Sequence, residues 1–238
     1  MIVGELICDE IPVYANQRVL DIGCGSGNTA MAAARRRAEV TGVDPVGKLL
    51  ATAQERALVD KLEIQWHEGT AEALPFADGS FDLALSTFGM IFSTEPEKAV
   101  AEAARVLVPG GRLVLTSWSE GGNTDRLFET VATVLPDMAM IPVARGWGRV
   151  EQAQQWLAAG FSEVRVVERT FLVRAPDTTR WLAGMKTFLA PVVLAYEALS
   201  PNAAAELDQR LLALGEASPK APNGTFFARV PYLEYHCS

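Results

Sequence analysis

Glycines at positions 23, 25 and 27 close a short apolar run, Val19-Leu-Asp-Ile-Gly-Cys-Gly-Ser-Gly-Asn28, and no other feature restricts the folding of this chain as much. A buried strand that ends in alternate glycines and passes straight into a helix turns through conformations that glycine reaches without steric cost. Its backbone N–H groups and the helix N-terminus then converge on one ligand-sized space. The same turn suits dinucleotides, phosphates and carboxylates. Around it, apolar runs at 18–22, 39–43, 62–66 and 81–85 alternate with Ala-rich or charged helical stretches, and a further run at 112–118 follows Pro109-Gly110-Gly111. That alternation predicts an α/β domain with a doubly wound, mostly parallel sheet.

Two details narrow the ligand. The last glycine of the dinucleotide fingerprint would stand where this chain has Asn28, which disfavours an NAD-dependent dehydrogenase, and the Gly-Lys-Ser/Thr of a P-loop is missing. Asp21, two residues before the first glycine, would repel a pyrophosphate but could hold an ammonium group; its alternative use is to cap the following helix. Asp44, at the end of the second strand and just before Pro45, can accept hydrogen bonds from both hydroxyls of a ribose. A ligand with an amino-acid end and a ribose describes S-adenosylmethionine.

At this level the sequence resembles the class I S-adenosylmethionine-dependent methyltransferases, in particular the small-molecule group that includes the quinone C-methyltransferases. The matching blocks are 19–27, Val43-Asp-Pro45, Gly69-Thr-Ala-Glu-Ala-Leu-Pro-Phe76, Ser80-Phe-Asp-Leu83, Ser86-Thr-Phe88 and 105–113, all in order; Leu157-Ala-Ala-Gly-Phe161 looks like the turn into the sixth strand of that family. The resemblance implies a Rossmann-like seven-stranded sheet whose closing strand is 232–237. It implies more helix ahead of the first strand than segment 3–11 supplies. For the site it implies Asp21, Gly23, Cys24 (through its backbone), Gly25, Asp44 and Pro45 around the amino-acid end and the ribose, Thr70, Ala71 and Glu72 beside the adenine, and Ser86 and Thr87 near the sulfonium. The family's usual residue at position 70 is Asp; the Thr70 hydroxyl can still accept, so weaker cofactor binding is expected.

Composition excludes some other classes. Lys and Arg number 21 against 29 Asp and Glu, a deficit that argues against nucleic acid as a partner. No run approaches the ~18–20 apolar residues of a membrane span, so a soluble, cytoplasmic protein acting on a small molecule is expected. Cys8, Cys24 and Cys237 lack metal or disulfide spacing, and no metal is expected. Monomer and homodimer are both open. The chain reads as a single domain, 1–238, with a cofactor-binding core at 12–118 and helical insertions at 119–150 and 176–226 that cover one edge of the sheet and the substrate.

A capping box Thr94-x-x-Glu97 is expected to start a helix that stops at Pro109, and the helix from Asn28 is expected to run to Arg37. His67 reads as a loop residue, and neither it nor His236 falls where a base would face the methyl donor. Asp125, Glu129 and Tyr196 are the candidate bases should the acceptor need one, and no residue is assigned as catalytic. Trp118, Met138, Trp147, Phe188 and Tyr196 could line an apolar pocket but read individually as core. The expected activity is methyl transfer to a small apolar or aromatic acceptor, at O, N or C, by in-line displacement that depends on proximity and desolvation and leaves S-adenosylhomocysteine. A quinone-ring C-methyltransferase is the alternative, weakened by the long C-terminal insertion. A non-catalytic S-adenosylmethionine-binding protein is the alternative of another class.

Overall fold

The computed structural model describes residues 3–219, 221 and 223–238; the Phe188 side chain lies outside those described. Seven strands form one sheet in the order β3-β2-β1-β4-β5-β7-β6. They are β1 (Arg18–Ile22), β2 (Glu39–Asp44), β3 (Ile64–Glu68), β4 (Phe81–Thr87), β5 (Leu107–Trp118), β6 (Val164–Ala175) and β7 (Phe226–Cys237). The pairs β1–β2, β2–β3, β1–β4 and β4–β5 are parallel. Strand order therefore reverses between β1 and β4, the switch point whose carboxyl ends frame the ligand crevice of open α/β sheets.

The chain divides into two compact units, and each has its own interior. The first holds Met1–Ser117, Val150–Val167 and Leu233–Ser238. Its sheet is built on Val19, Leu20, Leu83, Ala84, Leu85, Leu113 and Leu115, all fully buried. Helices α1 (Val3–Glu10), α2 (Asn28–Arg35), α3 (Gly47–Val59), α4 (Pro96–Val106) and α7 (Val150–Leu157) belong to it. Small residues let α2 approach closely: Ala30, Ala32 and Ala33 are fully buried, and a Cβ on Gly4 of α1 would lie 2.6 Å from Thr29 Oγ1. The second unit holds Trp118–Arg149 and Glu168–Tyr232, so the stretches 119–150 and 176–226 fall almost wholly within it. It contains α5 (Asn123–Val134), α6 (Met140–Gly146), α8 (Thr178–Phe188), α9 (Ala190–Ala198) and α10 (Pro201–Glu216). Its core is aromatic: Phe171 sits 5.9 Å from both Trp118 and Tyr232, Trp181 stacks on Phe226 at 5.0 Å, and Trp147 is fully buried.

Three local expectations need correction. Thr94 does not cap α4: the N-cap is Glu95 with Pro96 at N1, and the Thr94 N–H donates instead to Glu72 Oε1 (3.1 Å). With its fixed φ, Pro96 is suited to N1, and that places the helix start one residue later than the capping-box spacing requires. Helix α4 ends at Val106, because β5 begins at Leu107 and bulges: Phe81 pairs with Leu107 and Leu83 with Arg112, so Pro109-Gly110-Gly111 loops out within the strand. Helix α2 stops at Arg35, and Arg37 takes a left-handed φ of 64°. Arg35 and Arg36 pair with Glu5 and Asp9 of α1, and Arg35 also reaches Asp60.

Among the described residues no helix is long and apolar enough to cross a membrane. Trp66 on β3 fills the space left by two glycines. A Cβ on Gly42 would stand 2.6 Å from the indole ring and 2.9 Å from Cys24 Sγ, and one on Gly27 2.7 Å from the same ring. Gly42→Ala is therefore expected to destabilise the protein by about 1–3 kcal/mol through overpacking, read as a lower urea midpoint. An unchanged midpoint would show that the Trp66 site is not tightly filled.

Candidate functional site

The turn after β1 follows from its glycines. Gly23, Gly25 and Gly27 have φ of 67°, 53° and 83°, left-handed values that strain other residues. The turn is tied to the end of β2: the Gly23 and Cys24 N–H groups donate to the Val43 carbonyl (2.8 and 3.0 Å), and Gly25 N–H donates to Asp44 Oδ2 (2.8 Å). The other Asp44 oxygen accepts from Val46 N–H (2.9 Å) at the N-cap of α3. Burial pushes the Asp44 carboxyl above the usual carboxylate range, and the Val46 and Gly25 amides pull it back. Each oxygen keeps a lone pair for a further donor. No heavy atom lies within 4 Å of a Cβ built on Gly25, so the space on that side of the turn is open.

Asp21 caps α2, one of the two uses that the sequence allows it. Its Oδ2 accepts from Ala30 N–H (2.9 Å) in the first turn of α2, where the N-cap, Gly27, has no side chain to do so. At 1% exposure the group is dehydrated, and burial pushes its pKa up to about 8, against the pull of the Ala30 amide. Cys24 is buried, its thiol pKa raised by burial.

On the β4 side the candidates hold loops. Ser86 Oγ donates to the Ile22 carbonyl (2.7 Å) and accepts from Met90 N–H (2.8 Å), which links the ends of β4 and β1. Thr87 Oγ1 accepts from Thr29 Oγ1 (2.8 Å). Phe88 has a positive φ of 56° and is held by its N–H bond to Thr116 Oγ1 (3.1 Å). Gly89 then lies so near the glycine turn that a Cβ on it would be 2.4 Å from the Gly23 carbonyl. Gly89, Thr29 and Thr116 were not singled out in the sequence. The glycine two residues past the strand is the only one of the three with a readable signal.

After β3, the Gly69 N–H bonds to the Asp44 carbonyl (3.3 Å), and Thr70 pairs with Ala73 in an isolated bridge, with Ala71 and Glu72 between them. Glu72 Oε1 accepts from Ser93 Oγ (2.6 Å) and from Thr94 N–H. Partial burial raises the Glu72 pKa, but hydrogen bonds led by Ser93 bring it below the ordinary value. Glu72 thus joins this loop to the one ahead of α4. Pro45 follows Asp44 in the bend between β2 and α3.

His67 lies within β3, edge-on to Phe76 at 5.2 Å, and not in the loop beyond it. His236 is 3.3 Å from Glu234. The candidate bases are engaged within the second unit. Asp125 accepts from Arg145 Nε (2.6 Å) and Gly121 N–H (2.9 Å), and Glu129 lies 3.7 Å from Arg145. Tyr196 donates to Asp208 Oδ1 (2.5 Å), and burial together with that carboxylate pushes its pKa well up, so the phenol keeps its proton.

A methyltransferase-domain profile matches residues 20–115, from within β1 to within β5. An uncharacterised protein of Mycobacterium tuberculosis is 34% identical over 215 residues, covering 89% of this chain and 78% of that one. The demethylmenaquinone methyltransferase of Renibacterium salmoninarum is 33% identical over 178 residues, covering 67% of this chain and 73% of its own. The chain belongs to the class I S-adenosylmethionine-dependent methyltransferases. The crystal structure of the YcgJ protein of Bacillus subtilis has the same fold as this methyltransferase, with a TM-score of 0.68 at 22% identity over 99% of this chain and 97% of that one.

The buried Asp21 gives this methyltransferase a pH signature. A carboxyl whose pKa rises from 3.8 unfolded to about 8 folded favours the folded state below pH 4 and loses that contribution as pH climbs to 8. Asp21→Asn keeps an oxygen for the Ala30 amide and removes the titration. The variant should be more stable than wild type by about 1–3 kcal/mol at pH 8, with the difference closing toward pH 5. Urea midpoints across pH 5–9 read this, and parallel curves would contradict it.

Proposed function

We propose that this methyltransferase binds S-adenosylmethionine at the carboxyl ends of β1, β2 and β3 and methylates a small apolar or aromatic molecule. The observation that carries the assignment is the bond between Asp44 and the Gly25 amide (2.8 Å), beside the open side of the turn. It puts a ribose-competent carboxylate next to a glycine that leaves room for a ligand. In this reading Asp44 and Pro45 take the ribose, and the backbone of Gly23, Cys24 and Gly25 takes the amino-acid end. Thr70 and Ala71 lie beside the adenine, and Asp21 faces the ammonium. An ammonium beside Asp21 would favour the ionised carboxylate that burial disfavours. Ser86, Thr87 and Glu72 hold the surrounding loops in place.

When bound, S-adenosylmethionine supplies a methyl group on a positively charged sulfur, which takes back the bonding electron pair as an electron pair of the acceptor attacks in line. The chain's contribution is to orient and to exclude water, which can account for most of the acceleration of such a displacement. Asp125, Glu129 and Tyr196 are committed to Arg145 and Asp208, so the reading favours an acceptor that is already nucleophilic: a phenolate, a carboxylate or an electron-rich ring carbon. Residues 119–150 and 176–226 are assigned the acceptor specificity. A quinone-type ring is the second reading, supported by the 33% identity to a demethylmenaquinone methyltransferase.

Calorimetry with S-adenosylhomocysteine tests the donor site. Wild type should bind in the micromolar range, and Asp44→Ala and Gly25→Val should each weaken binding at least about tenfold, the first by removing charge-assisted bonds and the second by filling the open space. Absence of wild-type binding would sink the reading. Turnover assays with phenols, carboxylic acids and reduced quinones then test the acceptor, and donor binding without any methylated product would favour a cofactor-binding protein over an enzyme.

A further inference from the structure

Asn28, which stands where a dinucleotide site would have glycine, has a use on the outer side of the turn. Arg56 on α3 donates through Nη1 to the Ser26 carbonyl (2.5 Å) and to Ser26 Oγ (3.2 Å), and through Nη2 to Asn28 Oδ1 (3.0 Å). Ser26 and Asn28 flank Gly27, the left-handed N-cap that joins the turn to α2. The inner half of the turn is fixed by Val43 and Asp44. The outer half is held by Gly27 N–H to the Cys24 carbonyl (2.9 Å) and by this guanidinium.

These two holds are mechanically linked. A trans peptide points its C=O and N–H in opposite directions, so drawing the Ser26 carbonyl toward Arg56 turns the Gly27 N–H back to Cys24. Without the arginine, a turn with three glycines has little to stop the 26–27 peptide from rotating and opening. A cation at the start of a helix also opposes the helix dipole, so stabilising α2 does not explain the guanidinium's position. Its planar fork suits several oxygens at once, which an ammonium cannot match.

We propose that Arg56 is a positioning residue for the methyl-donor site: through Ser26 and Asn28 it holds the outer half of the glycine turn in the shape that binds S-adenosylmethionine. This rests on the donor site assigned above. Arg56 acts through the turn, so its removal should show in ligand affinity more than in stability.

The test is calorimetric titration of the full chain with S-adenosylhomocysteine, for wild type, Arg56→Gln, Arg56→Lys, Asn28→Ala and the double variant Arg56→Gln with Asn28→Ala. Thermal unfolding of each is followed in parallel. Arg56→Gln should weaken binding about tenfold. Arg56→Lys should recover part of the loss, since an ammonium can still reach the Ser26 carbonyl. Asn28→Ala should cost less, and the double variant should bind no worse than Arg56→Gln alone. Wild-type affinity in Arg56→Gln overturns the brace while leaving the donor site standing, and so do losses that simply add in the double variant. A lowered Tm with unchanged affinity would mark a merely structural arginine and overturns it too. Should Arg56→Gln not fold, wild-type affinity in both Arg56→Lys and Asn28→Ala overturns the proposal. A wild type that binds nothing removes the donor site and the brace together.

Discussion

One carboxylate joins three parts of the first unit. Asp44, the last residue of β2, receives the Gly25 amide from the turn after β1 and the Val46 amide from the start of α3. Each bond is modest by itself, but together they fix where the glycine turn ends relative to the neighbouring strand and helix. At 6% exposure, Asp44 is costly to ionise, and the two amides offset part of that cost. Without them the turn, left-handed at three positions, would be tied to the end of β2 through the Val43 carbonyl alone.

The β4 side adds a second constraint that is steric. Gly23 and Gly89 approach so closely that neither tolerates a Cβ, and Ser86 ties Ile22 to Met90 across the same gap. The positive φ of Phe88 is the local cost of that approach, held by the Thr116 hydroxyl. By contrast, the more visible ion pair of Arg35 with Glu5 of α1 is exposed on both sides and contributes little to stability. Asp21 belongs with Phe88: a buried carboxyl that costs stability and persists next to the proposed ligand.

Much of this was legible in the chain. Strand β1 runs from Arg18 to Ile22 as its apolar pattern requires, and Asp44, at the end of the second strand, comes to lie beside the turn through parallel pairing of β1 with β2. The Thr94 box misled because Pro96 competes for the helix start, and the bulge that lets β5 begin at Leu107 depends on its partner Phe81, which no local pattern contains. The bonds of Ser86 to Ile22 and of Glu72 to Ser93 were hidden for the same reason: those partners lie 64 and 21 residues away along the chain. Arg56 gives no local signal at all, since its meaning lies in Ser26 and Asn28, on a different helix and turn. Of the second unit, α6 and α9 gave no signal: both are short and α9 is apolar almost throughout, so no periodic face marks them.

The position of the methyl donor is what most needs to be seen. A crystal structure of the chain with S-adenosylhomocysteine should place the ribose hydroxyls within hydrogen-bond distance of the Asp44 carboxylate and the homocysteine end over Gly25, with Gly23 and Gly89 still in contact. A ligand seated away from the glycine turn, or one whose ribose makes no bond to Asp44, would contradict it.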